Sequence, residues 1–276
     1  MLRDRARSAA ILVPPLLVAL WLGGIWITLV VGIAVVIAGV ETFRLLTAAG
    51  HPSMPTFGVA LAVVLALGDA LGALPGGSGL VLTALAIVLV GTGALSRQDP
   101  REGLAVFATT LFGAMYVGLL GFAARLATAD VPVDAQAPLG WLGPGRAWVL
   151  VLVLCVWAYD TAAYFAGRRF GRRPFMQHIS PSKTLEGVAG GAAAAAIVGA
   201  ALVLAVGRPV FAGLLLGLAL AFAAQAGDLA ESMLKRAAGA KESGSLIPGH
   251  GGLLDRIDSF LFAAPVAYFF VVAILG

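Results

Sequence analysis

The stretch Ile11–Val40, ILVPPLLVALWLGGIWITLVVGIAVVIAGV, carries no acidic or basic side chain. A continuous apolar run reads as helix crossing a bilayer, because the strands of a transmembrane barrel alternate in hydropathy. At ~1.5 Å per residue it would reach about 45 Å, too long for one ~30 Å hydrocarbon core and too short for two. Gly23-Gly24 offers a break, so the reading is a short helix to about Leu22 and a longer one from Gly24 to about Thr47.

The rest of the chain has the same character. Of 276 residues, 60% are hydrophobic and 12% charged, with a mean hydropathy of +0.98. Soluble domains carry about 25% charged residues, so a soluble globular chain is excluded. Disorder, collagen and a disulfide scaffold fail as well, for want of charge, period or cysteine. Cys155 stands alone in an apolar run and has no disulfide partner. No processing site follows the basic start (Arg3, Asp4, Arg5, Arg7), so no cleavable signal peptide is expected. The fold class expected is all-α: a polytopic integral membrane protein with about nine transmembrane helices. Beyond the first two, spans are expected near 57–74, 79–95, 104–127, 147–166, 186–206, 210–236 and 254–275. Residues 1–150 would hold about five spans, and 151–276 about four with the chemistry-bearing loops.

Nine spans with the N-terminus cytoplasmic leave, of 18 Lys and Arg, only Arg125, Arg146 and Arg208 outside. That bias is what the positive-inside rule detects. It also accounts for the net charge of +4 and pI near 9.6 without nucleic acid. Gly187/Gly191 and Gly213/Gly217 are small-xxx-small pairs that let helices approach closely. No fixed-period repeat is evident.

Charge is unevenly spread: more than half of it lies in residues 160–258. Charged groups in or beside membrane spans are costly and are functional candidates. Four clusters stand out. Asp160 lies late in a span, with Tyr164 one turn on and Arg168, Arg169, Arg172 and Arg173 beyond it; the arginines also read as a simple cytoplasmic anchor. Ile179–Gly187 holds Ser182, Lys183 and Thr184 at the start of a helix, a plausible phosphate cradle or a plain cap by Ser182 or Thr184 with Glu186 in the first turn. It lacks the Gly-rich run of a P-loop.

The third cluster places Asp228, Glu231, Ser232 and Lys235 on one helix face. That face should turn to the bundle interior or a watered cavity, although a Glu231 pair with Lys235 or Arg236 would explain two of the charges. The fourth, Lys241–Ser259, surrounds His250 with Pro248 and glycines, suggesting backbone held close to a ligand. His250 could equally be an ordinary loop histidine. Asp255, Asp258 and Ser259 share a face. Carboxylates on either side of a short loop suit Mg²⁺, usually held by one or two carboxylates plus substrate phosphates. A zinc site is disfavoured by one Cys and three His.

The stretch Ser232-Met-Leu-Lys235-Arg236 … Lys241-Glu242-Ser-Gly … Pro248-Gly-His250-Gly-Gly-Leu-Leu-Asp255-Arg256-Ile-Asp258 closely resembles the signature of the phosphatidate cytidylyltransferases, or CDP-diacylglycerol synthases. Gly227-Asp228-Leu-Ala-Glu231-Ser232, Ser180-Pro-Ser-Lys183-Thr-Leu-Glu186-Gly and Asp160-Thr-Ala-Ala-Tyr164 also look like family motifs, in the family's order. The chain departs at Glu242, where the family usually has Asp, and at Ala162, where it commonly has Gly. Neither departure removes a residue assigned to metal or phosphate.

The resemblance implies transfer of a cytidylyl group from CTP to phosphatidate, giving CDP-diacylglycerol and pyrophosphate, with Mg²⁺ and room for a second cation. It implies an integral protein of a bacterial inner (cell) membrane with a cytoplasmic site, acting on CTP and a bilayer lipid, with a homodimer open as an assembly. Asp228 and Asp255 would be metal ligands, with Asp258 a third or supporting group; Ser232 and Lys235 would hold phosphate. Ser182, Lys183 and Thr184 would contact triphosphate or lipid phosphate, and Asp160, Arg236, Lys241, His250 and Arg256 would line the substrate site.

Three other readings compete. An anion or lipid transporter with a polar-lined cavity should carry charges at mid-depth in several spans, where Asp69 is the main candidate. A CDP-alcohol phosphotransferase would carry an Asp-Gly-x-x-Ala-Arg pattern that this chain lacks. A purely structural membrane scaffold leaves the Asp228 and Asp255 faces unexplained.

Overall fold

The structure is a computed structural model that describes residues 14–68, 78–246 and 251–276. Arg3, Arg5 and Arg7, Asp69 and His250 lie outside the described residues. Among those described there are helices and no strands; the one β-type pairing is an isolated antiparallel bridge between Pro174 and Thr184.

Residues 14–22 form α1, followed by α2 (Gly24–Ala48), α3 (Pro55–Leu67), α4 (Ser78–Ala94), α5 (Pro100–Gly118) and the short α6 (Gly121–Ala127). Then come α7 (Pro144–Phe170), α8 (Leu185–Ala205), α9 (Val210–Ala237) and α10 (Leu254–Phe270), which ends in a π-turn over Val271–Leu275. The expected break between the first two helices is present, and Gly23 makes it with φ of 77°, a conformation glycine adopts at no steric cost.

Six helical stretches are long and apolar enough to cross a membrane: Gly24–Ala48, Pro100–Ala127, Pro144–Phe170, Leu185–Ala205, Val210–Ala237 and Leu254–Leu275. The described parts of α3 and α4 are shorter, at 13 and 17 residues, against the ~20 that a bilayer core asks for. The described residues thus support six crossings, where the sequence suggested about nine. Large apolar side chains such as Trp21, Leu80, Ile197 and Phe222 are two-thirds or more exposed, the outer surface expected of helices that meet lipid. The protein is therefore an all-helical membrane protein.

The chain forms two compact units. The first comprises Met1–Arg125 with Met233–Ile257, the second Leu126–Ser232 with Asp258–Gly276. In the first, α2, α3, α4 and α5 pack on one another around buried Val35, Ala38, Phe43, Leu61 and Val106. A Cβ at Gly113 would press on the Phe43 ring, so the glycine makes room for the aromatic.

In the second unit, α7 packs along α8. The small-residue pairs do the work expected of them. Gly187 and Gly191 face Ala163, Gly167 and Tyr159 of α7, while Gly213 and Gly217 face Gly199 and Ala195 of α8. Gly227 likewise lies against the backbone of Asp258 and Ser259. With lipid as apolar as a leucine side chain, close backbone approach supplies the packing that the hydrophobic effect supplies in water.

Candidate active site

The second unit gathers residues from α7, α8, α9 and α10. The loop after α7 folds back on itself: Phe175 N–H donates to the Lys183 carbonyl at 2.8 Å and Leu185 N–H to the Arg173 carbonyl at 2.9 Å. Glu186 does not join a cluster with Lys183. Its Oε2 accepts from the Arg172 and Arg173 amides at 3.0 and 3.1 Å, which ties the loop to the start of α8. Thr184 is the N-cap of α8, its Oγ1 accepting from Gly187 N–H at 3.2 Å, so of the two residues weighed as cap it is Thr184 that serves.

Fixed between these bonds, Lys183 pairs through Nζ with Asp228 Oδ2 at 2.5 Å; the two side chains are 18% and 33% exposed. Ser232 Oγ donates to Asp228 Oδ1 at 3.4 Å. Asp160 accepts at Oδ1 from Ser259 Oγ, also at 3.4 Å, and Asp258 Oδ1 accepts from the Ser259 amide at 2.7 Å. Tyr164 is exposed and accepts from Arg168 at 3.2 Å rather than joining Asp160. Ser182 is exposed in the loop.

The first unit holds a second lysine–aspartate pair. Lys235 Nζ lies 2.6 Å from Asp255 Oδ1, with side chains 14% and 8% exposed. Asp255 Oδ2 accepts three further bonds, from Ser243 N–H at 2.9 Å, Ser243 Oγ at 2.8 Å and Gly252 N–H at 2.8 Å. Beneath it lies Glu41 of α2, 4% exposed. Glu41 accepts from Leu253 N–H at 3.0 Å and Leu254 N–H at 2.7 Å, and from Ser243 Oγ at 3.2 Å. Two carboxylates thus satisfy the free amides where α10 begins, a place that favours negative charge.

The glycines after His250 have a use within the chain itself. Gly251, at φ of 78°, would bring a Cβ against Asp255 and Glu242, and Gly252 would bring one against Ser243 and Glu41. Their bareness admits this chain's own carboxylates. Lys241, Glu242, Arg236 and Arg256 are exposed.

The polar face of α9 turns inward as expected. Glu231 is 1% exposed, and Asp228, Ser232 and Lys235 are half-buried. Lys235 reaches from this face to pair with Asp255. Sequence reasoning missed Glu41 and the buried bond from Tyr159 Oη to Gln225 Oε1 at 2.6 Å. The signal was present in both cases, as a polar residue inside an apolar helix.

Comparison with known proteins agrees with these motifs. A family model described as the cytidylyltransferase family matches residues 3–274. The chain belongs to the cytidylyltransferase family. Among its curated relatives, one from Synechocystis is 39% identical over 195 residues, covering 64% of this chain and 66% of the relative. One from Bacillus subtilis is 42% identical over 127 residues, covering 45% and 47%. One from Brucella suis is 37% identical over 193 residues, covering 70% and 64%. All three carry the name phosphatidate cytidylyltransferase, and the chain spans less than two thirds of the length of each.

In this member of the family, the donor set can be tested against the cation the motifs imply. Asp228 offers a reachable carboxylate with hard oxygens, and it fits Mg²⁺. Asp255 fits through Oδ1 alone, since Oδ2 already accepts three bonds. Among the described residues, no group of three or more His, Cys, Asp or Glu side chains is placed to hold a metal ion. An ion here would draw its remaining ligands from phosphate and water, as Mg²⁺ commonly does.

Proposed function

We propose that this chain transfers a cytidylyl group from CTP to phosphatidate, giving CDP-diacylglycerol and pyrophosphate, at the cytoplasmic face of a bacterial cell membrane. The observation that carries the reading is the pairing of two signature lysines with two signature aspartates, Lys183 with Asp228 and Lys235 with Asp255. Family membership and the names of the relatives support it.

The chemistry asks for little beyond charge and position. A phosphatidate oxygen, ionised at neutral pH, attacks the α-phosphorus of CTP; that P–O bond forms as the bond to the pyrophosphate oxygen breaks. No strong base is needed. The barrier lies in bringing polyanions together, which cations and aimed donors lower. Lys183 and Lys235 are ammonium groups already fixed in place by a carboxylate. Ser232 Oγ and the hydroxyl of Thr184 add neutral donors. Asp228 and Asp255 Oδ1 would hold Mg²⁺, which supplies a positive centre for the triphosphate. Asp258 would support Ser259, and through it Asp160. Arg236, Lys241, His250 and Arg256 would contribute positive charge or hydrogen bonds around the nucleotide, with Ser182 beside Lys183. A homodimer and a second cation remain part of the same proposal.

The test is turnover of labelled CTP with dioleoyl phosphatidate and Mg²⁺ by the purified full chain. CDP-diacylglycerol and pyrophosphate should appear in equal amounts. Absence of product from folded protein overturns the reading.

A further inference from the structure

We infer that Arg44 and the two cavities beside it form a binding site for a two-chain anionic phospholipid, its phosphate on the guanidinium and one acyl chain in each cavity. This rests on the reading above for the lipid's identity as phosphatidate.

Arg44 stands near the end of α2, a helix whose only other charged residue is Glu41. It is exposed, and it has no ion pair or hydrogen bond among the described residues. An arginine in a membrane helix is costly unless its head reaches the interface or a counter-charge. Glu41, three residues earlier, is no such counter-charge, because its oxygens are taken by Leu253, Leu254 and Ser243.

Two cavities flank this guanidinium. One, about 620 Å³, is lined by Val40, Phe43, Thr47, Pro55 and Val59 together with Arg44. The other, about 500 Å³, is lined by Val36, Ile37, Val40 and Leu246, again with Arg44, and also by Glu41, whose oxygens are bonded to Leu253, Leu254 and Ser243. Both sizes suit small-molecule sites. Val40 and Arg44 belong to both, so one cation stands where two largely apolar grooves meet. A diacyl phospholipid has the matching form: one anionic head and two apolar chains. Arginine's planar fork suits phosphate oxygens, and it binds them bidentately. The second cavity is also walled by Gly244 and Ser245, which follow the Ser243 that holds Asp255. A head group at Arg44 would lie beside the loop whose Ser243 bonds a signature aspartate.

Native mass spectrometry of the full chain in detergent, without CTP, tests the site against dioleoyl phosphatidate, dioleoyl phosphatidylglycerol and dioleoylglycerol. Wild type should retain phosphatidate about tenfold better than dioleoylglycerol, the worth of one charge-assisted contact. Arg44→Gln should lose that preference, Arg44→Lys should recover part of it, and Val40→Trp should lower retention of all three by filling both grooves. In turnover, Arg44→Gln should raise KM for lipid and leave KM for CTP unchanged. Equal phosphatidate retention by wild type and Arg44→Gln, with both eluting as folded protein, overturns the site. Equal retention of phosphatidate and phosphatidylglycerol overturns its assignment to the substrate. If phosphatidate is retained through Arg44 but CTP is not turned over, the lipid site stands and the proposed reaction fails.

Discussion

Each unit holds a lysine–aspartate pair, and the two are built differently. The Lys183–Asp228 pair has a third of the aspartate exposed, and its other partner is a long bond from Ser232. The Lys235–Asp255 pair is nearly sealed, and Asp255 also fastens Ser243 and Gly252. Equal chemistry in unequal surroundings separates two duties. Asp255 holds the start of α10 and presents Oδ1 as a by-product of that work. Asp228 is held by little and is free to exchange its partner for a cation or a phosphate-bound metal. The difference can be broken by mutation, and the largest effect belongs to Asp255→Ala. It takes the carboxylate from Lys235 and from the two amides in a buried place, where loss of one partner of an ion pair costs about 3–5 kcal/mol. Turnover should vanish and the thermal midpoint in detergent should fall by several degrees. A midpoint equal to wild type would mean that Asp255 has no structural duty.

Asp228→Asn should also bring turnover to background, but with a smaller fall in the midpoint, since Asp228 is a third exposed and fastens fewer groups than Asp255. The pair of variants thus gives a signature: activity lost in both, stability lost mainly in one. Mg²⁺ titration of any residual activity should require far more metal in Asp228→Asn than in wild type. An unaltered Mg²⁺ requirement would remove Asp228 from the metal site.

The sequence made some of this plain and hid the rest for physical reasons. Apolar runs and the Gly23-Gly24 break announced helices, because hydropathy and backbone freedom are local properties. The number of crossings was harder to read, since α3 and α4 are apolar throughout yet short in their described parts. Asp228, Lys183, Lys235 and Asp255 were legible as candidates from charge placed beside membrane spans. Which lysine meets which aspartate was not, because Lys235 pairs across 20 residues and Lys183 across 45. Glu41 was passed over although it sits in an apolar helix. Its partners lie more than 200 residues away, and only the fold reveals them. The glycines near His250 were read as holding backbone close to a ligand; that Gly251 and Gly252 also make room for Asp255 and Glu41 is visible only in the fold.

Glu41 sharpens the contrast between the units, because the first unit supports its aspartate with a second buried carboxylate. Glu41→Gln keeps the size and one carbonyl acceptor but turns an NH₂ toward amides that need an acceptor. Leaving a buried donor unsatisfied costs about 1–3 kcal/mol. The midpoint should fall by an amount between those of the two aspartate variants, and kcat should drop while KM for CTP holds. A change in KM with kcat intact would place Glu41 at the substrate rather than beneath Asp255.

The smallest effect concerns Thr184, where the second unit asks one residue to do two things. As N-cap of α8 its hydroxyl oxygen accepts from Gly187, and removing such a cap costs about 1 kcal/mol. As part of the proposed phosphate cradle it would also donate a hydrogen bond. Thr184→Ala cannot tell these duties apart, because both disappear. Thr184→Asp can: aspartate is at least as good a cap as threonine, so the midpoint should stay near wild type. A negative charge next to Lys183 would repel triphosphate, however, and KM for CTP should rise severalfold. If KM is unchanged in Thr184→Asp, the residue caps a helix and nothing more, and the phosphate-binding duty in this loop passes to Lys183 alone.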